Sequence, residues 1–206
     1  MQNIGMTPID LIHQCAPDLA PVTIAAVVQQ ESGGNPFLLH DNTTGKSWRP
    51  TNIDESASLA HKLIRSGHSV DIGLAQINNK NLPALKLKIE DVLDPCTNLR
   101  AAQSVMIVAW EQSGHDLRGA LAAYNTGKTA TSVGTHYSAQ VFAKAGVKVP
   151  AIPGGALAKW TTQTQPWIRS ALPSVQPVLT WTPAASPLKP NNSGLYPRTF
   201  NPRTIP

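Results

Sequence analysis

Apolar residues recur every three to four positions in several stretches of residues 7–146, and this spacing predicts a series of short α-helices. Helix-start residues such as Asp94 and Asp116, and helix-stop glycines such as Gly114 and Gly127, mark the ends of these stretches. The predicted helices cover residues 7–15, 21–32, 56–65, 94–112, 116–124 and 135–144. Residues 69–78 have a short mixed pattern that indicates a loop or a small hairpin. The sequence therefore predicts a mainly α fold with at most a small β-hairpin.

The pattern changes near residues 146–150, where the helical periodicity ends. Of the 18 prolines, 11 lie from Pro150 onward, and such composition is typical of flexible or polyproline-like tails. All 12 acidic residues lie at or before Asp116, so residues 147–206 carry only basic charges. These charges are sparse, which fits attraction to an anionic polymer or a tail that only aids solubility, rather than a nucleic-acid partner. We expect two units, residues 1–146 and a flexible tail of residues 147–206.

Cys15 and Cys96 are the two cysteines of the chain. No CxxC accompanies them and the six histidines show no ligand spacing, so we expect no metal and no other cofactor. The cysteines are then either two buried free thiols or one disulfide. No apolar stretch approaches the roughly 20 residues of a transmembrane helix. Residues 1–12 also lack the basic start and apolar run of a signal peptide, which by itself favours the cytosol.

Glu31 lies on the apolar face of the second predicted helix. Ile24, Val27 and Val28 precede it at helical spacing, so the four side chains share one face. Desolvation and the negative end of the helix dipole both raise the pKa of a carboxyl in this position, as a general acid requires. Alternatively, Glu31 lies at the edge of the stripe and reaches solvent beyond the helix end. This helix alone leaves both interpretations open.

Two further segments carry polar residues at positions that suggest chemistry. Tyr124 shares an apolar face with Leu117 and Leu121, so its hydroxyl needs a hydrogen-bond partner. Residues 73–78 alternate apolar and polar side chains, which predicts a short strand, and Gly73 allows the backbone to approach another group closely. A helix C-cap and a short strand explain these segments equally well when each is considered alone.

Taken in order along the chain, three motifs resemble those of the soluble lytic transglycosylases. They are Glu31-Ser32-Gly33-Gly34-Asn35-Pro36, Gly73-Leu74-Ala75-Gln76-Ile77-Asn78 and Ala123-Tyr124-Asn125-Thr126-Gly127. Two more segments are similar to the branch encoded with type IV secretion and conjugation systems: Gly67-His68-Ser69-Val70-Asp71 and Asp94-Pro95-Cys96-Thr97-Asn98-Leu99. The resemblance covers about residues 7–146. It implies a goose-lysozyme-like helical fold and an enzyme that acts on bacterial peptidoglycan.

The same resemblance implies roles for individual residues. Glu31 corresponds to the catalytic acid and base, and Ser32 corresponds to the residue that orients it. The implied sugar-binding positions are Gly73, Gln76, Asn78, Tyr124 and Asn125. The implied reaction is non-hydrolytic cleavage of the β-1,4 bond between N-acetylmuramic acid and N-acetylglucosamine, which leaves a 1,6-anhydro ring. One protein carboxyl suffices because the acetamido group of the substrate replaces a second one.

Two positions affect the details of this match. Asp71 is the nearest candidate for a paired carboxylate, and we interpret it instead as a hairpin residue that bonds local backbone. Ala75 stands where many relatives carry Met. We expect the smaller side chain to widen the cleft there or to alter the stacking of a sugar ring.

The resemblance also implies partners and a location. Peptidoglycan glycan strands are the implied substrate, and other type IV secretion components are candidate partners of residues 147–206. Because peptidoglycan lies in the periplasm, we expect a periplasmic site of action, with an export route that the sequence does not define. An oxidising location favours a Cys15–Cys96 bridge between the first helix and the helix that starts at Asp94. A hydrolytic muramidase on the same fold and a scaffold protein of the secretion apparatus are the alternatives.

Overall fold

The structure is a computed structural model and describes residues 8–146. Short helices dominate this part of the chain, and four short strands lie between the second helix and the middle of the chain. In chain order the elements are α1 (Pro8–Cys15), α2 (Pro21–Glu31), β1 (Leu39–Asp41), β2 (Lys46–Trp48), α3 (Ile53–Arg65), β3 (Val70–Ile72), β4 (Ile77–Asn78), a 3₁₀ turn (Asn79–Asn81), α4 (Leu82–Leu85), α5 (Ile89–Leu93), α6 (Pro95–Gln112), α7 (Leu117–Thr126) and α8 (Ser132–Lys144). The mainly α fold class is confirmed. The predicted tail, residues 147–206, lies outside the described residues.

Side-chain caps account for where several helices begin. Asp94 and Asp116 cap α6 and α7 as predicted, each accepting a hydrogen bond from the backbone N–H three residues further on, at 2.8 and 2.7 Å. Helix α3 begins at Ile53, earlier than predicted, because the Asn52 side chain accepts a hydrogen bond from the backbone of the third helical residue. Helix α8 likewise begins at Ser132 rather than at residue 135. Helices α4 and α5 were not predicted, because four or five residues are too few to show a helical repeat.

The strands form one antiparallel sheet in the order β2-β1-β3-β4. The β3–β4 pair is the predicted hairpin, and β1 and β2 enlarge the sheet beyond it. Each of these two strands has three residues, too few for alternation to be visible in the sequence. Asp41 stabilises the turn that joins them, since its carboxylate accepts hydrogen bonds from the Thr43 backbone and the Thr44 hydroxyl.

The two faces of the sheet differ in polarity. Residues opposite each other on neighbouring strands point to the same face, and the pleat sends adjacent residues to opposite faces. One cross-strand row is apolar and belongs to the buried core: Leu39, Ile72 and Ile77. The neighbouring row on the other face is polar and is called the polar row below; it consists of Ser47, His40, Asp71 and Asn78. The main core therefore lies against one face of the sheet, and the polar row occupies the other face, buried at Asp71 and Asn78 and exposed at Ser47.

Helix α7 runs through the centre of the helical part. Its residues from Gly119 to Asn125 are all buried, and it packs against both α6 and α8. Helix α2 packs in turn against α8. This arrangement brings the last turn of α2 close to residues that are more than 100 positions away in the sequence.

Cys15 and Cys96 form a disulfide, with their Cα atoms 5.1 Å apart. The bridge joins the end of α1 to the first turn of α6, so the pairing implied by the family resemblance is confirmed. Cys15 is fully buried, and its neighbours belong to the main core. Within residues 8–146, no helix has the length and apolar character needed to cross a membrane.

Candidate active site

Glu31 is the last residue of α2 and is buried, with 8% of its surface exposed. Ile24 and Val27, which precede it on the same face, are fully buried in the core. Gly33 and Gly34 follow with positive φ angles of 65° and 86°, so the chain turns away directly after the helix. The structure thus places this carboxyl on the buried stripe, and not in the solvent beyond the helix end.

Tyr137 holds the carboxyl of Glu31. Its hydroxyl donates a hydrogen bond of 2.6 Å to Glu31 Oε1, from a buried position on α8. Burial and the neighbouring Tyr124 both raise the pKa of Tyr137 well above its ordinary value, so the hydroxyl stays a proton donor at working pH. Tyr137 was not among the residues predicted from the sequence. The available signal was its helical spacing to the buried Val141, the same signal that selected Tyr124.

Ser32 caps the turn that follows Glu31. Its hydroxyl donates to the Val28 carbonyl at 3.3 Å and accepts a hydrogen bond from the Gly34 backbone at 3.1 Å. These contacts fix the backbone on both sides of Glu31. A direct role of Ser32 in orienting the Glu31 carboxyl stays a prediction.

Gly73 lies where the backbone meets the side chain of Asn98 on α6. Its φ is +80°, and a Cβ atom at this position would overlap the Asn98 amide nitrogen. That amide donates to the Ile72 and Val92 carbonyls, and its oxygen accepts a hydrogen bond from the Ala75 backbone. The close approach predicted at Gly73 is therefore an approach to α6. Residues 73–76 form a turn fixed by Asn98, and only Ile77 and Asn78 of the predicted strand adopt strand geometry.

Gln76 and Asn78 are buried, with 2% of the surface of each exposed. The Gln76 amide donates to the carbonyls of Leu38 and Gly73, at 3.0 and 2.8 Å. The Asn78 amide donates to Ser69 Oγ and to Asp71 Oδ1, at 3.0 and 2.8 Å. Both amide nitrogens thus hold the sheet and turn together. Sugar contacts through these two side chains stay a prediction.

Tyr124 and Asn125, at the end of α7, differ in how their polar atoms are used. The Tyr124 hydroxyl donates to the Ala75 carbonyl at 2.8 Å and so ties α7 to the turn after Gly73. Asn125 is 1% exposed, and residues 8–146 provide no hydrogen-bond partner for either atom of its amide. Buried polar atoms without partners are rare and commonly indicate a ligand or a water. Ala75 is itself fully buried, so its side chain lines no open surface in this structure.

Asp71 is fully buried at the centre of the polar row. Its carboxylate accepts a hydrogen bond from the side chain of Asn78. Burial raises the pKa of Asp71 to about 7, although the amides of Asn42 and Asn78 act in the opposite direction. Asp71 also raises the pKa of Tyr124, in addition to the larger effect of burial, so the two side chains are near each other. Electrostatic effects thus connect Asp71 to Tyr124 and Tyr124 to Tyr137, which holds Glu31.

Replacing Asp71 with asparagine is expected to stabilise the protein increasingly as the pH rises. The unfolded carboxyl ionises near pH 4 and the folded one near pH 7, so wild-type stability falls across that window and levels off above it. The introduced amide can still accept the hydrogen bond from Asn78 but carries no charge. Between about pH 5 and pH 8, the stability advantage of D71N should grow by about 2 to 3 kcal/mol.

Urea denaturation at the two pH values measures this difference. Asp54, exposed in the first turn of α3, provides the matched control D54N. A D71N advantage that is the same at both pH values would show that Asp71 does not titrate in this window.

Three histidines form local hydrogen bonds with carboxylates: His61 with Glu90, His68 with Asp41 and His115 with Glu111. Across the described part of the chain, no group of three or more His, Cys, Asp or Glu side chains is arranged to hold a metal ion.

The chain is similar to several virB1 proteins. It is 36% identical to protein virB1 of Agrobacterium fabrum over 121 residues, which cover 56% of this chain and 49% of that protein. It is 32% identical to protein virB1 of Rhizobium radiobacter over 146 residues, or 68% of this chain and 61% of that protein. It is 36% identical to type IV secretion system protein virB1 of Brucella abortus over 96 residues, or 47% of this chain and 40% of that protein. The match thus spans about half the length of these relatives.

No solved structure matches the chain. The family model of the Transglycosylase SLT domain matches residues 11–141. That stretch contains Glu31, the turn after Gly73, the end of α7 and Tyr137, which are the parts of the site described above. Since the match extends over more than half of the sequence, the chain belongs to the Transglycosylase SLT domain family.

Proposed function

We propose that this chain is a peptidoglycan lytic transglycosylase that opens the cell wall locally for a type IV secretion or conjugation apparatus. The observation that carries the proposal is the setting of Glu31. It is a buried carboxyl at the end of an apolar helix face, with one oxygen held by a tyrosine hydroxyl that stays protonated. Such a carboxyl is suited to give a proton and to take one back.

The reaction follows from one carboxyl acting twice. Glu31 donates its proton to the glycosidic oxygen, and the bond from that oxygen to the anomeric carbon of N-acetylmuramic acid breaks. The acetamido oxygen of the same sugar bonds to the anomeric carbon and holds the positive charge. Glu31, now a carboxylate, takes the proton of the 6-hydroxyl, whose oxygen then displaces the acetamido oxygen and closes the 1,6-anhydro ring. Glu31 is protonated again, and no water is consumed.

Tyr137 is the positioning residue in this scheme. A donor to the carboxylate favours its ionised form and fixes its rotamer. Tyr137→Phe removes the donor and keeps the ring, so we expect kcat/KM to fall about 10- to 100-fold. The loss should lie in kcat, with KM nearly unchanged, because the bond holds the reacting carboxyl and not the substrate. A loss that lies entirely in KM would indicate that Tyr137 acts only through packing.

Asn125 is the favoured contact with the sugar among the five positions implied by the resemblance. Its amide atoms are unused within residues 8–146, whereas the amide nitrogens of Gln76 and Asn78 bond to other residues of the turn and the sheet. The Asn125 amide is covered in this structure, so a sugar reaches it only after a small movement of the covering residues. An acetamido group can both donate to and accept from such an amide.

Incubation with purified peptidoglycan sacculi tests the activity. We expect the protein to release soluble muropeptides. Tight binding to sacculi without release would favour the alternative, a scaffold protein of the secretion apparatus.

The names of the Brucella relatives support the secretion context, and the substrate supports a periplasmic site of action. We assign to residues 147–206 the binding of the wall or of another secretion component. Deleting these residues should reduce secretion while leaving muropeptide release in place. Unchanged secretion and wall binding after the deletion would count against that role.

A further inference from the structure

The polar row extends the candidate site towards solvent. Asn78 and Asp71, on β4 and β3, are buried, while His40 on β1 is partly exposed and Ser47 on β2 is exposed. Neighbouring strands lie roughly 4.8 Å apart, so three strand steps span roughly 14 Å. Tyr124 bonds to the turn that joins β3 and β4, so the inner end of the row lies near the end of α7, and the outer end lies at the surface.

Contact with water does not explain why polar side chains occupy all four positions of the polar row. A polar face on an antiparallel sheet is commonly just the face in contact with water. In the polar row, however, two of the four residues are buried, since 0% of the surface of Asp71 and 2% of that of Asn78 is exposed. The core does not need these side chains, because it uses the opposite, apolar face of the same strands. A small number of placed polar groups is what orients a polar ligand in a binding site, and the outer end of this row offers two of them.

His40 has hydrogen-bonding capacity that residues 8–146 do not use. Its Nδ1 lies 2.8 Å from Ser47 Oγ, and the described residues offer no partner for its Nε2. Burial lowers the pKa of His40, despite the opposing effect of Asp41, so the imidazole is neutral at physiological pH. Whichever tautomer is present, a neutral ring bonded through Nδ1 presents Nε2 as a donor or an acceptor to an uncharged ligand.

We propose that His40 and Ser47 form an outer sugar-binding subsite, which contacts an N-acetylated sugar unit remote from the bond that Glu31 cleaves. This inference rests on the proposed function. The subsite binds the strand and takes no part in the chemical step, so it favours long glycan strands over short ones. Its contribution is one or two neutral hydrogen bonds to a hydroxyl or acetamido group.

Steady-state kinetics on long glycan strands and on a short muro-oligosaccharide test the subsite in the full chain. For His40→Ala and Ser47→Ala we expect KM for long strands to rise about 3- to 10-fold, with kcat unchanged. KM for the short substrate should stay the same. His40→Gln retains a hydrogen-bonding side chain and should recover part of the loss.

His61→Ala is the matched control, because His61 is also a partly exposed histidine but pairs with Glu90 away from the sheet. Ser47→Ala alters an exposed side chain, so it reports on the subsite even where His40→Ala disturbs folding. An unchanged KM for long strands in S47A and H40A, or an equal rise for both substrates, would overturn the subsite while leaving the proposed function intact. A wild-type chain that cleaves neither substrate would overturn both.

Discussion

Glu31→Gln is expected to reduce muropeptide release by about 10²- to 10⁴-fold, the usual contribution of a positioned general acid and base. Glutamine has nearly the same shape and can still accept the hydrogen bond from Tyr137, so the fold should be retained. It can neither donate the proton to the glycosidic oxygen nor remove the proton from the 6-hydroxyl. Both halves of the proposed reaction are lost with one substitution.

Glu111→Gln is the matched control for this experiment. Glu111 lies on α6 with its side chain exposed and bonded to His115, so its loss should leave the activity unchanged. Near-UV circular dichroism and thermal unfolding check that both variants are folded. An E31Q variant with wild-type activity would exclude Glu31 as the proton donor.

Loss of the Cys15–Cys96 disulfide is expected to lower the free energy of unfolding by roughly 4 kcal/mol, since the bridge closes a loop with a sequence separation of 81. The bridge anchors α1 to the start of α6, and Asn98, two residues after Cys96, fixes the turn after Gly73. We therefore expect the reduced protein to lose activity at lower temperature than the oxidised one.

Denaturant titrations of the Cys15→Ser/Cys96→Ser variant and of the wild-type chain, each with and without a reductant, measure this effect. The reductant should destabilise the wild-type chain to about the level of the variant and should leave the variant unchanged. Equal stability of the oxidised and reduced wild-type chains would show that the bridge contributes little.

Local signals predicted much of the helical frame. Asp94 and Asp116 cap helices where expected, because a cap depends only on residues three positions apart. Glu31 is also buried, as its helical spacing to the apolar residues of α2 indicates. Strands β1 and β2 were not predicted, because three residues are too few to show an alternation of apolar and polar positions. They are defined by pairing with each other and with β3, which the sequence does not display.

The contacts of the site were less predictable than the helices, because they join parts of the chain that are far apart in the sequence. The bond between Tyr137 and Glu31 spans 106 positions and exists only because α2 packs on α8. The sequence also does not show which polar side chains are already hydrogen-bonded to other residues in the folded protein. Gln76 and Asn125 were selected on equal grounds, yet the amide nitrogen of Gln76 holds the turn while the Asn125 amide has no partner within residues 8–146.

The most direct test of the central claim is the mass of the muropeptides that the protein releases from purified sacculi in water labelled with heavy oxygen. A single acid and base that closes a 1,6-anhydro ring consumes no water. The products should therefore be lighter by one water than hydrolytic products and should contain no heavy oxygen. Muropeptides that end in a reducing N-acetylmuramic acid with incorporated heavy oxygen would contradict the account and identify the protein as a hydrolytic muramidase.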